Sequence, residues 1–146
     1  MMTKCIQWLL GVGLVVGFML VGQVAYWEFW PMEVAEFTSP GRILNTGKVV
    51  EAGHVLQYEV KGCFFRNVNN VAVQRALVDS FVYNLPVLNT KPRIGCIQEV
   101  RTLMIPKTFF SGKFHVTVDM VFQVNPLRTV DVHMQTEDFT IVESEE

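Results

Sequence analysis

The chain has 146 residues, half of them hydrophobic and 18% charged, with a formal net charge of −2 at neutral pH. That length holds one ordinary domain and an accessory segment, not two full domains. No basic cluster occurs anywhere, which argues against nucleic acid as a partner and against a polybasic segment for anionic lipid headgroups.

The apolar excess sits at the start. Residues 1–30 carry only Lys4 and Glu28 as charged side chains, and Ile6 to Ala25 contains none. Twenty helical residues rise about 30 Å, the thickness of a bilayer's hydrocarbon core. Eleven Leu, Ile, Val and Phe residues in this stretch favour insertion by roughly 3–6 kcal/mol before the Gly and Gln costs. Trp8 near one end and Tyr26, Trp27 and Trp30 at the other form interfacial belts. A signal-anchor helix over residues 1–30 is therefore expected, with the lipid bilayer as its first partner. A cleaved signal peptide is the alternative and would give a secreted domain. The small residues needed one and three positions before a cut are poorly supplied, with Gln23 before Ala25 and Leu20 before Gly22. Lys4 precedes the helix, and Glu28, Glu33 and Glu36 follow it before the first cation, Arg42. That bias points to an N-terminus inside and a C-terminal domain outside the cytoplasm, in a single-pass cell-membrane protein. Gly13 and Gly17 form a GxxxG step on one helix face, which would let a second helix approach closely and form a homodimer.

Beyond the helix, Pro31 to Pro40 reads as linker, and the juxtamembrane segment is placed at residues 31–42. A β-rich domain is expected over 43–142, with a solvated acidic tail at 143–146. Ile43 to Val50 could hold a short strand. In Val55 to Phe65, Leu56, Tyr58 and Val60 alternate with Gln57, Glu59 and Lys61; Gly62 then interrupts, suggesting a bulge. Val71 to Asn84 is rich in β-branched and aromatic residues and favours strand. Val73, Ala76, Leu77, Ser80 and Phe81 also fall at helical spacing. Ile94 to Ile105 is a further strand, ended by Pro106. Alternation is clearest from Phe114 to Val124 and from Val130 to Met134, joined by turn chemistry at Asn125-Pro126-Leu127-Arg128. Phe139 and Ile141 are out of phase with Met134, so a bulge is expected between Thr136 and Asp138. The fold class is thus mainly β: an N-terminal transmembrane helix followed by one antiparallel β-sandwich.

Chemistry is scarce. Cys63 and Cys96 fall on separate strands and could pair if the domain is exported, or remain two buried free thiols. Cys5, at the membrane edge, is a free thiol or a lipidation site. His54, His115 and His133 are isolated, without metal-ligand spacing, so no metal or cofactor is expected. Asp119 and Asp131 could approach each other across the last hairpin. No serine lies in a nucleophile-elbow context and no glycine-rich phosphate loop is present, which argues against an enzyme. Phe109-Phe110 either plugs one end of the sandwich or forms an exposed contact for a partner protein.

The Gly53 turn and the corner from Ile105-Pro106 to Gly112-Lys113-Phe114 resemble those of immunoglobulin-like or fibronectin-type modules. The Cys…Trp…Cys spacing of true immunoglobulin domains is absent, since no Trp lies beyond Trp30. The anchor, the Cys63/Cys96 pair and the Val124–Arg128 turn followed by Phe139-Thr140-Ile141 resemble small single-pass membrane proteins of tailed bacteriophages and bacteria. That resemblance implies location and architecture, not an activity. The expectation is a membrane-anchored, non-catalytic binding module facing an unidentified protein. The alternative is a structural envelope component self-associating through its helix.

Overall fold

The computed structural model describes residues 2–67 and 71–143, which fall into two units. One holds the chain up to Met32 together with Asn125–Arg128; the other holds Glu33–Val124 and the chain from Thr129.

In the first unit, helix α1 runs Met2–Phe29. Its segment Leu10–Phe29 has 20 residues, a mean hydropathy of 1.8, and no part buried within the protein. The helix is long and apolar enough to cross a membrane, and a soluble protein's core helix would instead be covered. A Cβ added at Gly13 or Gly17 would meet nothing within 4 Å. The carbonyls at the helix's end and just past it find partners inside this unit: Asn125 Nδ2 donates to Trp27 O at 2.9 Å, and Arg128 donates to Glu28 O at 3.0 Å and Trp30 O at 2.7 Å. Such carbonyls lack intrahelical donors and need outside ones. The side chains of Lys4 and Cys5 and residues 144–146 of the acidic tail lie outside the described residues.

The second unit is built of strands β1 (Ala35–Phe37), β2 (Arg42–Ile43), β3 (Val49–Glu51), β4 (Val55–Phe64), β5 (Val71–Val78), β6 (Val82–Asn84), β7 (Leu88–Thr90), β8 (Gly95–Met104), β9 (Gly112–Asn125), β10 (Arg128–Gln135) and β11 (Phe139–Val142). In one sheet β4 pairs with β8 on one side and with β1 and β2 on the other. In the second, β5 and β9 are central; β6 and β7 pair with β5, while β10 and β11 pair with β9. The β4 pairings, the β5 pairings and β9–β11 are antiparallel, whereas β3 lies parallel to β11 and an isolated bridge joins Gly41 to Thr136 in parallel. The domain is a β-sandwich, as expected, with a parallel edge at β3.

Alternation decides the burial. Leu56, Tyr58, Val60 and Phe64 of β4 face Phe114, Val116, Val118 and Phe122 of β9 in one core. Val130 and Val132 pack against that core and Met134 is within it, after which Phe139 and Ile141 are buried in the opposite phase. The bulge expected between Thr136 and Asp138 is there. Thr136 is buried at the break: its Oγ1 accepts from Val116 N and donates to Glu137 O, each at 2.9 Å. Gly41 clasps the same break, donating to Gln135 O at 2.9 Å and accepting from Glu137 N at 2.8 Å. A side chain on Gly41 would come within 2.9 Å of Thr136 Cγ2.

Two expectations are corrected. Residues 31–42 are not a free linker, because Val34 is 1% exposed and β1 pairs with β4 from Ala35↔Phe64 to Phe37↔Gly62. Gly62 makes no bulge, since the β4–β8 register runs unbroken from Val55↔Met104 to Phe64↔Gly95. It is small because Phe37 lies over it; a Cβ there would meet Phe37 Cδ1 at 2.8 Å and Glu36 O at 3.0 Å. Val71–Asn84 is strand, as its composition favoured, folded into the hairpin β5–β6 and turned where Asp79 Oδ1 accepts from Phe81 N at 2.6 Å.

Candidate functional site

On β5, alternation puts Val71, Val73, Arg75 and Leu77 on the face turned to the core. Three of the four are apolar, and Arg75 is the exception. The register sets it beside Val118 on β9, an inward position that is itself 3% exposed. On its other side β6 pairs with residues 76–78 and β7 with 71–73, so Arg75 falls in the gap between them. There its carbonyl accepts from Leu85 N at 2.8 Å.

The opposing sheet supplies the matching layer. Residues directly opposite on neighbouring strands share a face, so Tyr58 stands beside Arg101 and Val60 beside Glu99. Arg101 and Glu99 form an ion pair along β8. Between the sheets these residues border a cavity of about 540 Å³. One part of its wall is apolar (Val60, Phe64, Val73, Val118 and Met120), while Thr90, Lys91, Arg93, Glu99, Arg101 and Thr102 line it from exposed positions on β7, the β7–β8 loop and β8. Among the described residues, four cations, with Arg75, thus meet one carboxylate around this space in a chain whose net charge is negative.

Two polar groups reach the buried part. Tyr58 is 3% exposed, and burial pushes its phenol above the ordinary tyrosine range, against the opposing pull of the Arg75 and Arg101 charges and a hydrogen bond with Arg75. The phenol therefore stays protonated at neutral pH. Arg75 Nε is buried and has no hydrogen-bond partner among the described residues. Leaving such a donor unpaired costs about 1–3 kcal/mol. A guanidinium and a neutral phenol can bind and orient a ligand; neither is a base at neutral pH, so this pair suits recognition rather than proton abstraction.

The residues singled out from sequence lie elsewhere. Cys63 and Cys96 sit opposite each other on the outer face of the β4–β8 pair, joined by a disulfide with Cα atoms 3.9 Å apart. Phe109 packs against the core in an aromatic group with Tyr83 at 4.9 Å and Phe114 at 5.8 Å, while Phe110 keeps 45% of its surface exposed. Gly13 and Gly17 belong to α1. The anticipated approach of Asp119 to Asp131 is replaced by another pairing: Asp119 Oδ1 lies 2.6 Å from His133 Nδ1. Each histidine has its own carboxylate, His54 with Glu51 and His115 with Asp138. Among the described residues no group of three or more His, Cys, Asp or Glu side chains is placed to hold a metal ion. Arg75 was not foreseen from sequence, although a charge in the inward phase of Val71-x-Val73-x-Arg75-x-Leu77 was the readable signal.

No protein-family model matches the chain, and no curated protein matches it. Among solved structures it is similar to the C-terminal domain of Wzt, at 11% identity and a TM-score of 0.51, over 80% of this chain and 77% of that one. It is also similar to a Niemann-Pick type C2 protein from Japanese carpenter ant, at 13% identity and a TM-score of 0.50, over 79% of this chain and 96% of that one. The likeness is one of fold. It shows a β-sandwich fold.

Proposed function

We propose that this chain is a membrane-anchored, non-catalytic binding module whose sandwich domain lies outside the cytoplasm and receives a small ligand between its sheets. The observation that carries the reading is the inter-sheet cavity, bordered by apolar walls and by Arg75, a charge in a core-facing position. At about 540 Å³ the cavity falls within the ~300–1,000 Å³ of ordinary small-molecule sites. The apolar helix supports the anchor, and the Cys63–Cys96 bond supports an oxidising compartment. Protein binding through Phe109-Phe110 is less well supported, because Phe109 is part of the aromatic plug and Phe110 alone presents an exposed ring.

The test is Met120→Trp, which fills the cavity from a half-buried wall position. The full-length chain and this variant are purified in lipid nanodiscs, extracted under denaturing conditions and examined by mass spectrometry. A small molecule near one equivalent with the wild type and depleted in the variant is the expected result. Equal amounts with both, at matched thermal stability, would remove the reading. A second reading, self-association through α1, has the open Gly13/Gly17 face in its favour. Gly13→Ile with Gly17→Ile should then abolish dimers in a membrane two-hybrid assay.

A further inference from the structure

We infer that the cavity's ligand is a single-chain amphiphile with one anionic head, of which a fatty carboxylate is the simplest, its head held at Arg75 and Tyr58 and its chain lying along the apolar wall. The inference rests on the proposed binding reading and adds the chemical class. Three observations carry it. Arg75 borders the cavity and holds its charge in a core-facing layer, with its Nε buried and without a partner among the described residues, so an anionic acceptor at the guanidinium would offset part of the cost of desolvating that charge. The Tyr58 phenol, kept protonated by burial, adds a neutral donor beside it. A planar guanidinium matches a carboxylate fork, and a carboxylate offers two charged acceptor oxygens where an alcohol offers one neutral oxygen and an ammonium none.

The apolar part follows from the walls. Val60, Phe64, Val73, Val118 and Met120 offer no hydrogen-bonding side chain, so the part of the ligand against them must be hydrocarbon. The rim has the sign expected for an anion's entry: Lys91, Arg93 and Arg101 against Glu99, and Glu99 is already paired with Arg101. A cationic amphiphile would meet these charges and gain nothing from Arg75. A polar metabolite without a chain would leave the apolar walls unmatched.

The experiment uses the full-length chain in nanodiscs and a photoactivatable dodecanoate carrying a diazirine at its chain end. Labelled positions are mapped by mass spectrometry, which separates adducts on the cavity walls from adducts on α1 caused by partition into lipid. Unlabelled dodecanoate, dodecanol and dodecyltrimethylammonium are added as competitors. Cavity-wall adducts are expected, displaced by dodecanoate at a concentration at least about tenfold below that needed for either other head. Arg75→Met should erase that tenfold preference and Arg75→Lys should restore part of it. The headgroup series on the unmodified protein keeps the test valid should Arg75→Met fold poorly. Equal displacement by dodecanoate and dodecanol would overturn the anion assignment and leave the binding cavity standing. Labelling confined to α1 would overturn both.

Discussion

Replacing Tyr58 and Arg75 together by Phe and Met tests whether this polar pair serves the fold or a ligand. Tyr58→Phe alone takes from Arg75 its phenol partner in a layer where Tyr58 is 3% exposed; hydrogen bonds to charged groups contribute about 1.5–3 kcal/mol, so a loss of that order is expected. Arg75→Met alone removes the unpaired Nε but leaves a buried phenol without the guanidinium, so its two effects oppose and a net loss of about 1 kcal/mol is expected. The double variant removes both groups and the Nε desolvation cost of about 1–3 kcal/mol, and places hydrocarbon against Val73 and Val118. It should match the wild type within about 1 kcal/mol or exceed it by 1–2 kcal/mol. All three Trp residues lie in the first thirty positions, so urea unfolding of the chain in nanodiscs is best followed by far-UV circular dichroism of the sheets. A double variant losing 3 kcal/mol or more would refute the reasoning, because the pair would then be holding the sandwich together.

Other outcomes follow from the geometry. Gly62→Ala, which drives a Cβ to 2.8 Å from Phe37 Cδ1, should destabilise the domain by about 1–3 kcal/mol in the same titration. Replacing Cys63 and Cys96 by serine opens a link between residues 33 apart and should cost about 3–4 kcal/mol, while adding reductant to that variant changes nothing further. Glu137 is held below the ordinary glutamate range, first by the hydrogen bond from Lys48 and then by the Ile43 N–H. A carboxylate depressed on folding stabilises above its unfolded pKa, and the contribution disappears as pH falls through the folded one. Protection of the Ile43 amide against hydrogen exchange should therefore decline below about pH 4, and Glu137→Gln should flatten that decline.

Much of the fold was legible because its determinants are periodic and local. Leu56-x-Tyr58-x-Val60, Phe114 through Val124 and the phase change after Met134 each state in sequence which face is buried, and the structure follows them. Gly62 was misread because glycine has two uses in a strand, a bulge or a close approach, and Phe37, which decides between them, lies 25 positions away in sequence. The same distance hid β1: a segment between two prolines reads as linker until Val34 and Phe37 find the β4 edge. Arg75 was legible in phase but not in meaning. One charge in an apolar alternation could mark a strand end, a helix or a ligand site, and only the opposing Tyr58 and the space beside it discriminate.

The account rests on a full-length chain retained in a membrane with its sandwich outside the cytoplasm, and one labelling measurement tests both parts. Cys5 is replaced by Ser, the Cys63–Cys96 pair is kept, and a single thiol is placed at the exposed Thr108. A membrane-impermeant maleimide applied to intact cells should label this chain, and the labelled, full-length product should sediment with the membranes. Labelling only after permeabilisation, or full-length product left in the supernatant without detergent, would contradict it.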